Sequence, residues 1–139
     1  MRRFEDVAVG EDLPSLVRVV TREDVKAYAD AGGDQNALHQ DDAVAREAGF
    51  PGVIAHGMLT MGHMAACVVS WCGDPASITG LSAQFRAPVL VGETIVAGGR
   101  VSEVDPLTRT AILETWVTLE RDGRTHQAVR KGVAVVRFP

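Results

Sequence analysis

Met58-Leu59-Thr60-Met61-Gly62-His63-Met64-Ala65-Ala66-Cys67-Val68-Val69-Ser70-Trp71 is the stretch that decides the fold. It contains no carboxylate, lysine or arginine. Its apolar residues fall nearly all round a helical wheel instead of on one stripe, the pattern of a helix surrounded by protein. Its 14 residues fall short of the roughly 17–25 that a membrane-spanning helix needs. At about 1.5 Å per residue it is ~21 Å long, a length that suits the centre of a small domain. Gly62, Ala65 and Ala66 are expected to let a sheet approach it closely.

Downstream lies the sheet. Residues 76–91 read as one or two strands, with Pro88 near an edge or bend. Residues 94–104 read as a strand in which Gly98-Gly99 mark a bulge. Asp105-Pro106 turns the chain. Ala111, Leu113, Thr115, Val117 and Leu119 then alternate with Ile112, Glu114, Trp116, Thr118 and Glu120, which is a period-two strand. Asp122-Gly123 is a two-residue hairpin signal, and the last strand spans residues 124–138.

Upstream, residues 15–20 are rich in valine and read as a short strand. Thr21, with Asp24 three residues on, opens a helix in the manner of a capping box. Gly32-Gly33 suits a left-handed helix end. Asp41 or Asp42 caps a second short helix through Ala48, stopped by Gly49, and Phe50-Pro51-Gly52 is a turn. The order is strand, short helices, one buried helix, then about four antiparallel strands. That is an α+β class, a single hot-dog domain over residues 1–139, in which a curved antiparallel sheet wraps a central buried helix. One such sheet leaves an edge and one side of the helix uncovered, so the chain is expected to pair as a dimer.

Composition narrows the function. At 139 residues the chain is one domain, with no room for a separate dinucleotide-binding half. Its net charge of −4 and its 12 arginines and 2 lysines, scattered without a basic block, argue against a nucleic-acid partner. The N-terminus starts Met1-Arg2-Arg3 but lacks an apolar core of a signal peptide. No membrane partner and a cytoplasmic location are expected. Cys67 and Cys72, five apart on a helix, lie beyond disulfide reach and read as buried packing residues or free thiols.

The polar residues that carry chemistry concentrate between Asp34 and His39, just before the most apolar part of the chain. A carboxylate beside an imidazole can hold a water, take a proton from it and deliver one elsewhere. His titrates near neutral pH, which suits that work. The alternative is that Asp34 and Asn36 only cap and turn and His39 is a surface residue. Gly57 opens the buried helix, where unpaired N–H groups and the helix dipole favour a developing oxyanion; it also reads as a packing or turn glycine. His63 lies seven residues after His56 on the same helical face, but no third ligand at suitable spacing follows, so no metal is expected and His63 reads as a core histidine. His126 is expected to be exposed. Calcium-loop, G-x-S-x-G and phosphate-binding glycine motifs are all missing.

Three blocks resemble the MaoC-type hydratase/dehydratase family. Gly33-Asp34-Gln35-Asn36-Ala37-Leu38-His39, preceded by Tyr28 and followed by Ala45, is similar to the family's G-D-x-N-P-[LI]-H-x5-A signature, with Ala37 in place of its proline. Ile54-Ala55-His56-Gly57-Met58-Leu59-Thr60 resembles the segment entering its central helix. Phe85-Arg86-Ala87-Pro88-Val89 with Gly92-Glu93-Thr94 is similar to its strand signature. The blocks cover nearly the whole chain in order. Residues 55–62 and 70–75 also look like the catalytic subunit of the heterodimeric 3-hydroxyacyl-carrier-protein dehydratase of mycolic-acid-type fatty acid synthesis; other relatives are homodimeric (R)-specific enoyl-CoA hydratases.

The resemblance implies reversible hydration of trans-2-enoyl thioesters to (3R)-hydroxyacyl thioesters. It implies Asp34, His39 and Gly57 as catalytic, and Asn36, His56 and Met58 at the substrate. No cofactor is implied beyond the CoA or phosphopantetheine that the substrate carries. The implied partners are acyl-CoA or acyl carrier protein, and a second hot-dog subunit, identical or not. A hot-dog acyl-thioesterase and a subunit inactive without its partner are the alternatives. Arg86, Arg130 and Lys131 either meet CoA phosphates or an acidic carrier protein, or form a solvated face.

Overall fold

The computed structural model describes Met1–Pro139. Its strands are β1 (Leu16–Val19), β2 (Ile78–Phe85), β3 (Thr94–Asp105), β4 (Thr110–Arg121) and β5 (Arg124–Arg137). Its helices are α1 (Arg22–Gly32), α2 (Asp42–Glu47) and α3 (Gly57–Cys72), with short 3-10 turns at Phe4–Asp6, Ala37–His39 and Pro75–Ser77. The five strands form one antiparallel sheet in the order β1-β3-β4-β5-β2. This is the expected α+β hot-dog arrangement, with α3 lying against the sheet.

Local chemistry explains most elements. Thr21 and Asp24 close the capping box at the start of α1. Asp41 accepts the N–H groups of Ala43 and Val44 at the start of α2. Asp122 and Gly123 join β4 to β5 with φ of 54° and 72°, the left-handed pair that a tight hairpin requires. Ala111, Leu113, Thr115, Val117 and Leu119 are all buried along β4, as the alternation predicts. They meet Met64, Cys67, Val68 and Trp71 of α3 in one core. Complete burial of a side chain such as Met64 or Val68 contributes roughly 1.5–3 kcal/mol. Cys67 and Cys72 are free and buried.

The structure bears out one expectation and corrects three. First, this one sheet leaves one side of α3 uncovered, as expected. His63, Met64, Cys67, Val68, Trp71 and Cys72 are buried, but Met58, Gly62, Ala66 and Ser70 form an exposed stripe at four-residue spacing. Second, Gly62 and Ala66 lie on that stripe and do not pack on the sheet, and Ala65 is half-buried beside it. A Cβ on Gly62 would meet nothing within 4 Å. The close approach is made instead by Gly132 of β5, where a Cβ would fall 3.0 Å from Met64 Sδ. Third, the irregularity in β3 lies between Val101 and Glu103, not at Gly98-Gly99. Those glycines make room for neighbours: a Cβ on Gly98 would sit 2.6 Å from Trp116 Nε1, and one on Gly99 3.2 Å from Leu13 Cδ2. Fourth, His126 is half-buried opposite Leu119. No helix is long and apolar enough to cross a membrane.

Candidate active site

The loop after α1 is built by its own polar side chains. Gly33 ends the helix in the left-handed region (φ 77°), with its N–H on the Ala29 carbonyl. Asp34 Oδ1 accepts the Asn36 N–H at 3.2 Å, and Asn36 Oδ1 accepts the Leu38 N–H at 3.0 Å. Asn36 thereby caps the 3-10 turn that carries His39. The turn is tied to the segment before α3. Ile54 N–H reaches the Leu38 carbonyl at 3.2 Å, and His39 Nδ1 lies 2.7 Å from the Ile54 carbonyl. A carbonyl only accepts, so His39 carries its proton on Nδ1 and presents Nε2 as an acceptor.

His39 Nε2 lies 3.8 Å from Asp34 Oδ2. That is too long for a direct hydrogen bond and suits one water donating to both. The His39 side chain is 12% exposed and that of Asp34 54%. The pair therefore faces solvent on the Asp34 side and protein on the other.

His39 borders a cavity of ≈ 330 Å³ whose walls are mostly apolar, including Phe50, Ile54, Phe85, Pro88, Val89 and Ala128. Gly57 and Thr60, one turn apart on α3, line it as well. Gly57 is the first residue of α3, so its N–H has no acceptor one turn back inside the helix. A Cβ on Gly57 would stand 3.0 Å from the Phe85 ring. Glycine therefore lets an aromatic ring and the N–H share one corner of the cavity. Arg86 sits at the rim, its guanidinium on Gln84. Arg130 and Lys131 are exposed on β5 and do not line the cavity.

The Pro88–Val89 wall is pinned from behind. Arg121 donates to both Glu93 oxygens, at 2.5 and 2.9 Å, and to the Pro88 carbonyl at 2.8 Å. Glu93 in turn accepts the Leu90 N–H. Burial alone would raise the Glu93 carboxyl, but the Arg121 and Leu90 hydrogen bonds overcome it and hold the group below its ordinary range.

Of the residues predicted for the site, His39 and Gly57 line the cavity, and Asp34 stands beside His39 outside the lining. Asn36 holds the loop. His56 is buried behind His39, and Met58 points outward at 55% exposure, outside the lining. Thr60, Phe50 and the Glu93–Arg121 pair were not anticipated; Thr60 was within reach of a helical-spacing argument, three residues after Gly57. His63 is a core residue, with Nε2 on the Leu16 carbonyl at 2.8 Å and its basicity lowered first by burial. Asp34, His39 and His56 do place ligand atoms within 4.8 Å of one another. The two imidazoles are stacked, however, at 3.8 Å and 25°. Their lone pairs run side by side instead of converging on one point, a poor geometry for a shared metal.

Residues 7–122 match the family described as MaoC like domain. A Rhodospirillum rubrum protein named (R)-specific enoyl-CoA hydratase is 29% identical over 137 residues, covering 98% of this chain and 91% of its own. The Arabidopsis thaliana mitochondrial 3-hydroxyacyl-[acyl-carrier-protein] dehydratase is 38% identical over 102 residues, 69% of this chain and 60% of its own. Among solved structures, the (R)-hydratase from A. caviae involved in PHA biosynthesis superimposes with a TM-score of 0.87 at 28% identity, covering 97% of this chain and 99% of that one.

Proposed function

The chain belongs to the family of MaoC-like domains, and from that premise we propose that it is a hydro-lyase adding water reversibly to trans-2-enoyl thioesters to give (3R)-hydroxyacyl thioesters. The observation that carries this reading is the 3.8 Å separation of His39 Nε2 and Asp34 Oδ2 beside the cavity that Gly57 borders. Both atoms are acceptors, so a water held between them turns both protons inward and its oxygen lone pairs toward the substrate. The oxygen bonds to C3. The C2–C3 π electrons move to C2 and the thioester oxygen, which the Gly57 N–H receives as it gains charge. The pair takes one proton from the water and returns one to C2 on the same face; the two groups act as a coupled unit. Dehydration is the reverse. No further cofactor enters the chemistry, since CoA or phosphopantetheine arrives with the acyl group. Acid–base catalysis of this kind is worth about 10²–10⁴-fold.

The acyl carrier is CoA or a carrier protein, in a cytoplasmic setting. The functional unit is a pair of hot-dog subunits, identical or not. The exposed stripe on α3 and the free edge of β2 support that pairing. The reaction is tested by following loss of the enoyl-thioester ultraviolet absorbance with crotonyl-CoA and longer enoyl-CoA substrates. Asp34→Asn and His39→Ala should each lower kcat by about 10²–10⁴-fold with the fold retained. Wild-type rates in both variants would refute the assignment.

A further inference from the structure

His56 touches both members of the reacting pair without reaching the cavity. It is 2% exposed, and no face of it lines the cavity. One face of its ring stacks on His39 at 3.8 Å and 25°. Its ring also packs against Tyr28, with centroids 4.9 Å apart. Its Nε2 lies 3.0 Å from the Asp34 carbonyl. Its Nδ1 is buried and has no hydrogen-bond partner. A proton on Nε2 makes a hydrogen bond, whereas a proton on Nδ1 would be buried with no acceptor, so the satisfied tautomer carries Nε2–H.

We propose that His56 is a positioning residue that fixes the distance between Asp34 and His39. Its N–H anchors the Asp34 backbone, and its ring sets the plane of the His39 imidazole. The two contacts belong to one rigid side chain, itself backed by Tyr28 and rooted at the N-terminus of α3. Gly57, the next residue, thus shares a backbone with the group that orients the pair. The water site and the oxyanion site are thereby held in one frame. A misplacement of about 1 Å in such a frame can cost ~10²-fold in rate. This role rests on the hydration reading above.

The test separates the two contacts. His56→Gln keeps a side-chain N–H for the Asp34 carbonyl but loses the ring. His56→Phe keeps a ring on His39 but loses the donor. Each should lower kcat for crotonyl-CoA hydration by about 10-fold and His56→Ala by about 100-fold, with KM within about twofold of wild type. An unchanged kcat in His56→Ala would overturn the proposal. So would a raised KM at unchanged kcat, which would make His56 a substrate contact. Nitrogen-15 NMR of the wild-type imidazoles needs neither substrate nor variant: Nε2–H on His56 is expected, and Nδ1–H overturns the proposal even if a variant fails to fold. Wild-type protein inactive on every enoyl thioester, with the tautomer as expected, would instead defeat the hydration reading.

Discussion

Gly57→Ala separates stability from catalysis at one atom. The backbone at Gly57 is not in the left-handed region, so alanine is allowed there. The added methyl would stand 3.0 Å from Phe85 Cδ2 and Cε2 and 3.2 Å from Cγ. Carbon–carbon contacts are favourable at about 3.5–4.0 Å, so the ring must retreat by roughly 0.5–1 Å. Phe85 is 45% exposed and can swing outward, which keeps the cost below the ~1–3 kcal/mol of overpacking a closed core. Replacing glycine at the start of a helix returns up to about 1 kcal/mol. The two effects nearly cancel, and the melting temperature should move by only a few degrees. Catalysis should not be spared. The methyl crowds the N–H proposed to receive the thioester oxygen, and losing one such donor costs about 10²–10³-fold in kcat. The assay pairs thermal unfolding by circular dichroism with enoyl-CoA hydration, and adds Phe85→Ala and the double variant. If the N–H is what matters, the double variant stays slow and Phe85→Ala alone stays fast. A wild-type kcat in Gly57→Ala would refute the oxyanion role. A Phe85→Ala loss equal to that of Gly57→Ala would place the effect in the displaced ring.

Glu93→Gln should remove an acid-sensitive component of stability. The folded carboxyl lies below its ordinary 4.5, so its stabilisation is complete above that pH and is lost as pH falls through the lower folded value. Melting curves from pH 7 down to 3 should show a drop in wild type that is smaller in the variant, which begins about 1–3 kcal/mol less stable. A parallel pair of curves would refute it. Pairing through the outer face of α3 predicts a mass of twice 14.8 kDa for the chain by light scattering, if it pairs with itself. Ala66→Glu, on that exposed face, should then give a folded monomer with reduced hydration activity; an intact dimer would send the interface elsewhere.

What was legible in the sequence was local. The alternation along β4, the Thr21–Asp24 capping box and the Asp122-Gly123 hairpin each depend on residues within one element. Asp34 and His39 belong to the same class, because one capped turn brings them together. His56 does not. It follows His39 by 17 residues, and the hydrogen bonds that tie Ile54 to the Leu38–His39 turn lay its ring against His39. Gly98 reads as a bulge because a glycine in a strand often marks one. Its real constraint is the Trp116 indole on the neighbouring strand, and that needs the cross-strand register.

The outer side of α3 carries the most information. Apolar residues on every face do imply burial on every face, and a single chain delivers it on only part of the circumference. Met58, directly after Gly57, and Ala66, further along the same stripe, then remain uncovered. If that stripe is covered by a second subunit, solvent is also displaced from the neighbourhood of the Gly57 N–H. A hydrogen bond to a developing oxyanion is worth more where water is excluded. Assembly and catalysis would then be linked through one helix: its inner face packs on the sheet, its first residue meets the thioester, and its outer face recruits the surface that dries the site.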